Sequence, residues 1–376
     1  MSSVSVAAIG PVTAPTAQGA RSAVCEISGI PEGFPTKLDS ELAWVGADIK
    51  FPDYVYHLTE TDIAELEKAY DNFMKLELDG DNVDGSNFVL PTLGPKLRGM
   101  SKEIYAGLGF VLIRGLDVKK YQVEQLTIMY MGMQSHIASE RGRQDVVGNI
   151  LVHIIPDKST EMRAAHHRHS TDAIGFHNEE ACDVVGWLTR NTAVSGGKCV
   201  ISSAYQVYNE LAAARPDIIR TLAKGDWPFS MPHFKCRPII FYEDGNLITN
   251  FGRAPLVGSA AHPRPKRYPI VNKSQLEALD AIQAIAYNNK YEIQTQPGDI
   301  HFINNLAVFH SREGFVDGMS QKRHLVRTWN RDTENGWKIP EALAREYIDA
   351  YDPEAPIVCQ PEPIPDADFP LRSQPN

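Results

Sequence analysis

Apolar positions along the chain follow two spacings. Between Thr59 and Tyr70 they fall at 63, 66, 69 and 70, the spacing of a helix with one buried face, and Thr59 followed by Glu60 and Asp62 supplies a hydroxyl cap and early acids. Ile63, Leu66 and Tyr70 are expected to face the core. Further helices are predicted near residues 95–106, over 121–133 with methionines as core filler, over 204–213 and on through 215–222, over 274–288 with Ser274 as the cap, and over 339–351 entered through Pro340. The other spacing belongs to short apolar runs bounded by glycine or turn residues, which read as strands: 109–116, 150–155, 183–190, 199–203, 237–242, 246–251, 292–296 and the run from Gly298 to His310. Many short strands after a helical first hundred residues predict a double-stranded β-helix, a mainly β or α+β jelly roll with flanking helices. One such domain is expected over residues 26–352, after a small, polar arm (1–25) and before a proline-rich extended tail (353–376).

Composition narrows the function classes. A formal charge of -10 argues against a general nucleic-acid binder, because phosphate neutralisation needs clustered Lys and Arg. No apolar run approaches bilayer length, and the first twenty residues lack a basic region followed by a sustained apolar core. The five cysteines are odd in number, widely spaced and without a C-x-x-C pair, so neither a zinc site nor a disulfide framework is expected; a reducing, cytoplasmic compartment fits them best.

The candidate chemistry centres on Gly175-Phe176-His177-Asn178-Glu179. As a strand, this stretch puts His177 and Glu179 on one side and Asn178 on the other. An imidazole and a carboxylate are two corners of the 2-His-1-carboxylate triad that holds Fe(II) and leaves coordination positions open. The candidate third corner is His310, at the end of an apolar run. Taken alone, His-x-Glu also occurs by chance as a surface pair, and only the context raises it. Beyond His310, the Asp317-Gly318 turn signal is expected to fold the next strand back beside the first and bring Arg323 and Arg327 near the metal. A co-substrate with two carboxylates that chelates iron through its 2-oxo acid end needs such a bidentate cation for its far carboxylate.

The ordered set His177-x-Glu179, Gly196-Gly197, His310, Arg323 and Arg327, over roughly residues 100 to 335, resembles the TauD/TfdA family of Fe(II)/2-oxoglutarate-dependent dioxygenases. Most members carry Asp at the carboxylate position; Glu179 is similar instead to the clavaminate synthase and arginine-hydroxylase branch. The resemblance implies iron on His177, Glu179 and His310, 2-oxoglutarate with its distal carboxylate on Arg323, O2 as oxidant, and oxidation of a C–H bond in a small-molecule substrate as 2-oxoglutarate becomes succinate and CO2. Arg327 would meet the other carboxylate or an acidic substrate group, with a structural salt bridge as the alternative. Family members commonly have Thr after Gly-Gly-x, where its hydroxyl helps bind the co-substrate carboxylate; this chain has Cys199, a weak donor, so Arg323 would carry more of that binding.

The Glu-bearing branch implies an amino acid or amino-acid-derived substrate. The loop and tail sequences also resemble fungal members active in specialised metabolism, one of which closes valine into an aziridine. Hydroxylation, desaturation and ring closure begin with the same hydrogen abstraction, so the sequence does not choose among them. Two other readings stand beside this one: release of sulfite or an alcohol from a sulfonate or ether, and a catalytically inactive jelly roll that binds metal. Residues 156–175, with His166, His167 and His169, are expected to form a mobile lid or substrate-contact loop, not a second metal site. The polar stretch 136–145 reads equally as a binding loop or as surface salt-bridging.

Overall fold

In the computed structural model, which describes residues 29–159, 161, 164, 166–259 and 262–363, the strand Phe110–Arg114 shows how the layers are built. Phe110 and Leu112 join a cluster that includes Val185, Trp187, Ile303, Leu325 and Trp329 of the same sheet and Cys199, Ile201 and Val308 of a second sheet. Val111 and Ile113 point the other way, into a cluster shared with the helices Glu60–Met74, Leu93–Ala106 and Val123–Ile137. Strands buried on both faces read as continuous apolar runs, which is why this one is legible without alternation. Each fully buried aliphatic or aromatic side chain in such a core stabilises it by roughly 1.5–3 kcal/mol.

The larger sheet runs in the order 55–57, 110–114, 300–304, 184–191, 324–331, 140–142, with 152–154 also pairing on 324–331. Its first pair is parallel, and the pairs from 110–114 onward are antiparallel. The smaller sheet is antiparallel, in the order 291–293, 199–203, 308–312, 174–177. Its outer residues Val200 and Phe309 pack into a third cluster with the helices Ala204–Ala214, Pro216–Leu222 and Lys273–Asn288. Two facing sheets between two helical layers make the jelly-roll, α+β fold that the strand pattern predicts. No described helix is long and apolar enough to cross a membrane.

Local expectations are met in part. Thr59 caps its helix through a capping box with Asp62, and Met129, Met131 and Met133 are fully buried. In the first helix, Leu66, Ala69 and Phe73 lie deepest, while Ile63 and Tyr70 are only half-buried at the edge of the cluster. The helix expected to start at Ser274 is capped instead by Asn272, whose side chain accepts from Gln275 N–H at 2.9 Å while Gln275 Oε1 accepts from Asn272 N–H at 2.9 Å. The reciprocal pair satisfies two otherwise orphaned donors, which Ser274, two residues later, does not. The terminal helix begins as a short 3-10 turn, Glu341–Leu343, and becomes regular only over Ala344–Tyr351.

The polar stretch 136–145 is structural. Glu140–Gly142 is an edge strand, Arg141 donates to Gln134 Oε1 at 2.9 Å and to the Val83 carbonyl, and Arg143 donates to the Asp349 and Asp352 carbonyls. The described part of the tail lies along the domain: Val358 N–H donates to Gly148 O at 2.8 Å, and Ile150 N–H donates to Val358 O at 3.0 Å. The predicted arm, 1–25, and the tail beyond 363 fall outside the described residues.

One expectation about chain path is wrong in a way that matters. The strand after Asp317-Gly318 does not fold back beside Val308–Arg312. Val308–Arg312 belongs to the smaller sheet, Phe315–Val316 pairs with Ser195–Gly196, and His324–Arg331 enters the larger sheet against Val184–Asn191. Arg323 and Arg327 therefore reach the interior from the opposite wall.

Candidate metal centre

The strand Ile174–His177 ends on His177, so Glu179 lies beyond it and not on the predicted strand. Two asparagines fix the backbone there. Asn305 Oδ1 accepts from Glu179 N–H at 2.6 Å, while Asn305 Nδ2 donates to the carbonyls of Glu179 and Cys182, both at 2.9 Å. Asn178 Nδ2 donates to Asn305 O at 2.6 Å, and Asn178 Oδ1 accepts from Thr249 Oγ1 and Phe251 N–H, both at 3.0 Å. With the strand ladder over, these side chains replace its hydrogen bonds and set the direction from which Glu179 turns inward.

His310 arrives from the neighbouring strand in direct register with His177. Alternation places it inside: Phe309 packs outward among the helices, and Val308 packs inward between the sheets. The two imidazole centroids are 4.3 Å apart, His310 Nε2 is 3.5 Å from Glu179 Oε1, and the candidate donor atoms of His177, Glu179 and His310 all lie within 4.8 Å of one another. His177 Nδ1 donates to Gly175 O at 2.9 Å in the tautomer that leaves Nε2 for coordination. Two imidazoles and one carboxylate, converging from buried positions with room beside them, fit Fe(II) with open coordination sites.

Electrostatics keep these groups ready. Burial, with His310 adding to it, pushes His177 down to about 3, so it is neutral near pH 7. Burial by itself would raise Glu179, but Arg327 and then the two histidines outweigh it and hold the carboxyl at about 2. Arg327 Nη1 ion-pairs with Glu179 Oε1, Arg327 Nε donates to Gln144 Oε1 at 2.9 Å, and Trp329 Nε1 donates to Glu179 Oε2 at 3.2 Å.

Arg323 lines the same cavity. Its backbone N–H donates to Asp317 Oδ1 at 3.0 Å, its Nε donates to Gly197 O at 3.2 Å, and its guanidinium carbon lies 5.3 Å from the Phe315 ring centre. Its terminal nitrogens have no hydrogen bond among the described residues. Burial lowers Arg323 to about 10, against the pull of Cys199 and Asp317, so it stays charged at neutral pH. The Gly196-Gly197 pair has a steric reason here: Gly197 has φ +73°, and a Cβ on it would stand 3.0 Å from Arg323 Cδ. Cys199 lines the cavity too; burial pushes its thiol up to about 12 despite Arg323, so it is a neutral, weak donor.

The structure thus brings His177, Glu179, His310, Arg323, Arg327 and Cys199 to one cavity. The sequence reading passed over Asn305 and Trp329, which contact Glu179, over Asn178 and Gln144, which hold Asn305 and Arg327, and over Arg168 and Arg312. Arg312 had a signal: it lies two residues after His310 and so shares its face. The loop expected to be mobile is tied down at its end. Arg312 donates to the carbonyls of His167 at 3.1 Å, Ser170 at 3.0 Å and Asp172 at 2.5 Å, and His166, Arg168, His169 and Ser170 are buried. Its substrate-facing role does have a geometric basis, since His167 and Arg168 line the cavity.

Comparison with known proteins gives three findings. The model of the taurine catabolism dioxygenase TauD, TfdA family matches residues 76–329. The chain is 32% identical over 348 residues to a "Taurine hydroxylase-like protein SAT17" of Stachybotrys chartarum, covering 88% of this chain and 89% of the relative. Among solved structures, asparagine oxygenase in complex with Fe(II), hydroxyasparagine and succinate aligns with a TM-score of 0.56 at 16% identity, over 76% of this chain and 98% of that one. Non-heme iron oxygenase OrfP in complex with Fe and alpha-ketoglutaric acid aligns with a TM-score of 0.53 at 13% identity, over 74% and 93%. At such identities the likeness to solved structures is one of fold.

Proposed function

The chain belongs to the TauD/TfdA family and is an Fe(II)/2-oxoglutarate-dependent oxygenase, and from that premise we propose that it oxidises a C–H bond of a small amino acid or amino-acid-derived carboxylate. Its co-substrates are 2-oxoglutarate and O2. In this reading His177, Glu179 and His310 hold the iron, and the observation that carries it is the convergence of their donor atoms within 4.8 Å in a cavity that Arg323 also enters. Bound there, iron supplies the oxygen activation that couples breakdown of 2-oxoglutarate to substrate oxidation.

The protein's own residues bind and orient. Arg323 directs its terminal nitrogens to the distal carboxylate of 2-oxoglutarate, a charge-assisted, bidentate contact in a buried setting. Cys199 sits beside it as a weak donor. Arg327 keeps Glu179 ionised and fixed in orientation while also facing the cavity. Trp187 and Leu325 line apolar wall, limiting water near the reacting atoms.

An amino-acid substrate is supported by the fold neighbours, whose structures are described as an asparagine oxygenase and as an oxygenase bound to L-Arg. The Stachybotrys relative supports a fungal lineage, and unpaired Cys182, Cys199, Cys236 and Cys359 fit a cytoplasmic setting. Ring closure of the aziridine kind is one outcome of the same hydrogen abstraction. Purified protein given Fe(II) and 2-oxoglutarate is screened with single amino acids for stimulated succinate formation. The product mass then reports hydroxylation (one oxygen gained) or desaturation or ring closure (two hydrogens lost). The name of the Stachybotrys relative favours one competitor, taurine oxidation; sulfite appearing in step with succinate would replace the amino-acid reading. Absence of even substrate-free succinate formation would leave only a metal-binding jelly roll.

A further inference from the structure

Four arginines, Arg168, Arg312, Arg323 and Arg327, line the cavity, and Glu179 is the one carboxylate among its described lining residues. Two positive charges on iron and two negative charges on 2-oxoglutarate cancel, so loading the site with both leaves the cationic excess in place. Three of the four arginines have partners. Arg312 gives both terminal nitrogens to loop carbonyls and leaves only its Nε unpartnered, Arg323 is held by Gly197 with its terminal nitrogens left for the co-substrate, and Arg327 by Glu179 and Gln144. Arg168 differs. It is 9% exposed, its Nε and Nη2 are buried without a hydrogen-bond partner, and no carboxylate stands within ion-pair distance of it among the described residues. Arg327 Nη2 is also buried and unpartnered.

A buried guanidinium left unpaired is strongly unfavourable unless a ligand completes it. Burial, with Arg327 adding to it, already draws Arg168 down to about 9. The backbone that carries it is held in place: His169 N–H and Ser170 N–H both donate to His166 O, at 2.9 and 2.8 Å, and Arg312 donates to the carbonyls of His167 and Ser170. The hydrogen-bonded turn at 166–170 thus presents an unsatisfied cation to the cavity, the arrangement expected of an anion subsite.

We propose that Arg168, together with Arg327 Nη2, receives a carboxylate of the substrate, which makes Arg168 the residue that selects an acidic substrate. The inference rests on the small-carboxylate reading above and deepens it. A carboxylate between two guanidiniums satisfies both sets of orphaned donors and offsets their mutual repulsion. The clamp is separate from the co-substrate contact at Arg323.

The test uses full-length protein loaded with Fe(II) and 2-oxoglutarate without oxygen, heated with each proteinogenic L-amino acid, with taurine, and with the carboxamide of each amino acid. At least one acid is expected to raise the wild-type unfolding midpoint while its carboxamide does not. Arg168→Met should abolish that response, and Arg168→Lys should restore part of it. Without amino acid, Arg168→Met should unfold at the wild-type midpoint or above it, since an unpaired buried charge has been removed, and its 2-oxoglutarate KM should stay at the wild-type value. A drop in the ligand-free midpoint would make Arg168 a structural residue, and a raised 2-oxoglutarate KM would assign it to the co-substrate; either overturns the proposal. So do equal responses to acid and carboxamide, a response that survives in Arg168→Met, or no wild-type response to any acid. Failure of the oxygenase reading shows separately, as a wild type that forms no succinate at all.

Discussion

Asn305 grips the peptide of Glu179 at both ends, accepting from its N–H at 2.6 Å and donating to its carbonyl at 2.9 Å. Because Glu179 lies past the end of its strand, this side chain does for it what a sheet ladder does for His177 and His310. Asn305→Ala leaves those buried groups unsatisfied, which costs about 1–3 kcal/mol of stability. Iron affinity should fall by roughly 10- to 100-fold, the usual effect of loosening a residue that orients a ligand. Urea unfolding and iron retained after dialysis measure both, and full iron retention would remove Asn305 from this role.

Arg323 and Cys199 together set the affinity for 2-oxoglutarate. Arg323→Met should raise the 2-oxoglutarate KM on the order of a hundredfold, and Arg323→Lys should recover only part of it, because an ammonium is a point charge and cannot form the fork. Cys199→Thr replaces a weak donor with a good one and should lower the same KM by about three- to tenfold. Succinate formation at varied 2-oxoglutarate decides both. An unchanged KM in Arg323→Met contradicts the assignment.

Gly197→Ala tests the close approach that shapes this corner. The residue has φ +73°, which costs a side-chain-bearing residue roughly 1–2 kcal/mol, and its new methyl would press on Arg323 Cδ at 3.0 Å. The expected result is a lower unfolding midpoint with a raised 2-oxoglutarate KM. Destabilisation without any effect on KM would mean that Arg323 has room to move aside.

His301 gives the fold a measurable acid sensitivity. It is fully buried, stacked on Trp187 with centroids 5.2 Å apart, and its Nδ1 has no hydrogen-bond partner. Burial, with Arg114 and Arg323 adding to it, lowers its pKa from 6.5 to about 3. Between those values the unfolded chain takes up a proton that the folded chain refuses. The stability contribution is therefore complete above pH 6.5 and is lost as pH falls toward 3. Glu180 and Asp183, raised by desolvation to about 8 and 7, act in the opposite direction, so the comparison must be a difference. Relative to wild type, His301→Asn should reduce the fall in unfolding free energy between pH 6 and 4 by about 1.4 kcal/mol per pH unit. Identical slopes would show that His301 is protonated in the folded state.

His167 presents a buried, unpartnered Nε2 and lines the cavity without joining the three converging donors. His167→Ala should change the substrate KM and leave bound iron at the wild-type level. Loss of iron would make the loop part of the metal site.

Much of the fold was legible where burial and capping act locally. Phe110–Arg114 announced itself because a strand covered on both faces has no polar side, and Thr59 because its hydroxyl and Asp62 satisfy each other within one turn. The helix start at Asn272 was missed by two residues because Ser274 is an equally good cap in isolation, and only the contact with Gln275 separates them. Arg168 was passed over because it stands among histidines in a polar loop, and nothing in that stretch shows which of its side chains end up with partners.

By itself the sequence determined the periodicities of two sheets and their covering helices, the types of metal-binding side chain at His177, Glu179 and His310, and the family's order of residues, since all of these are carried by local spacing. Only the tertiary structure decided that Arg323 and Arg327 come from the opposite sheet, that Asn305 turns Glu179 inward, and that Arg168 is buried near Arg327 with no ion-pair partner among the described residues. Those relationships join residues more than a hundred positions apart, or depend on which partners are missing. Packing two sheets face to face sets both, and no pattern within a single segment encodes either.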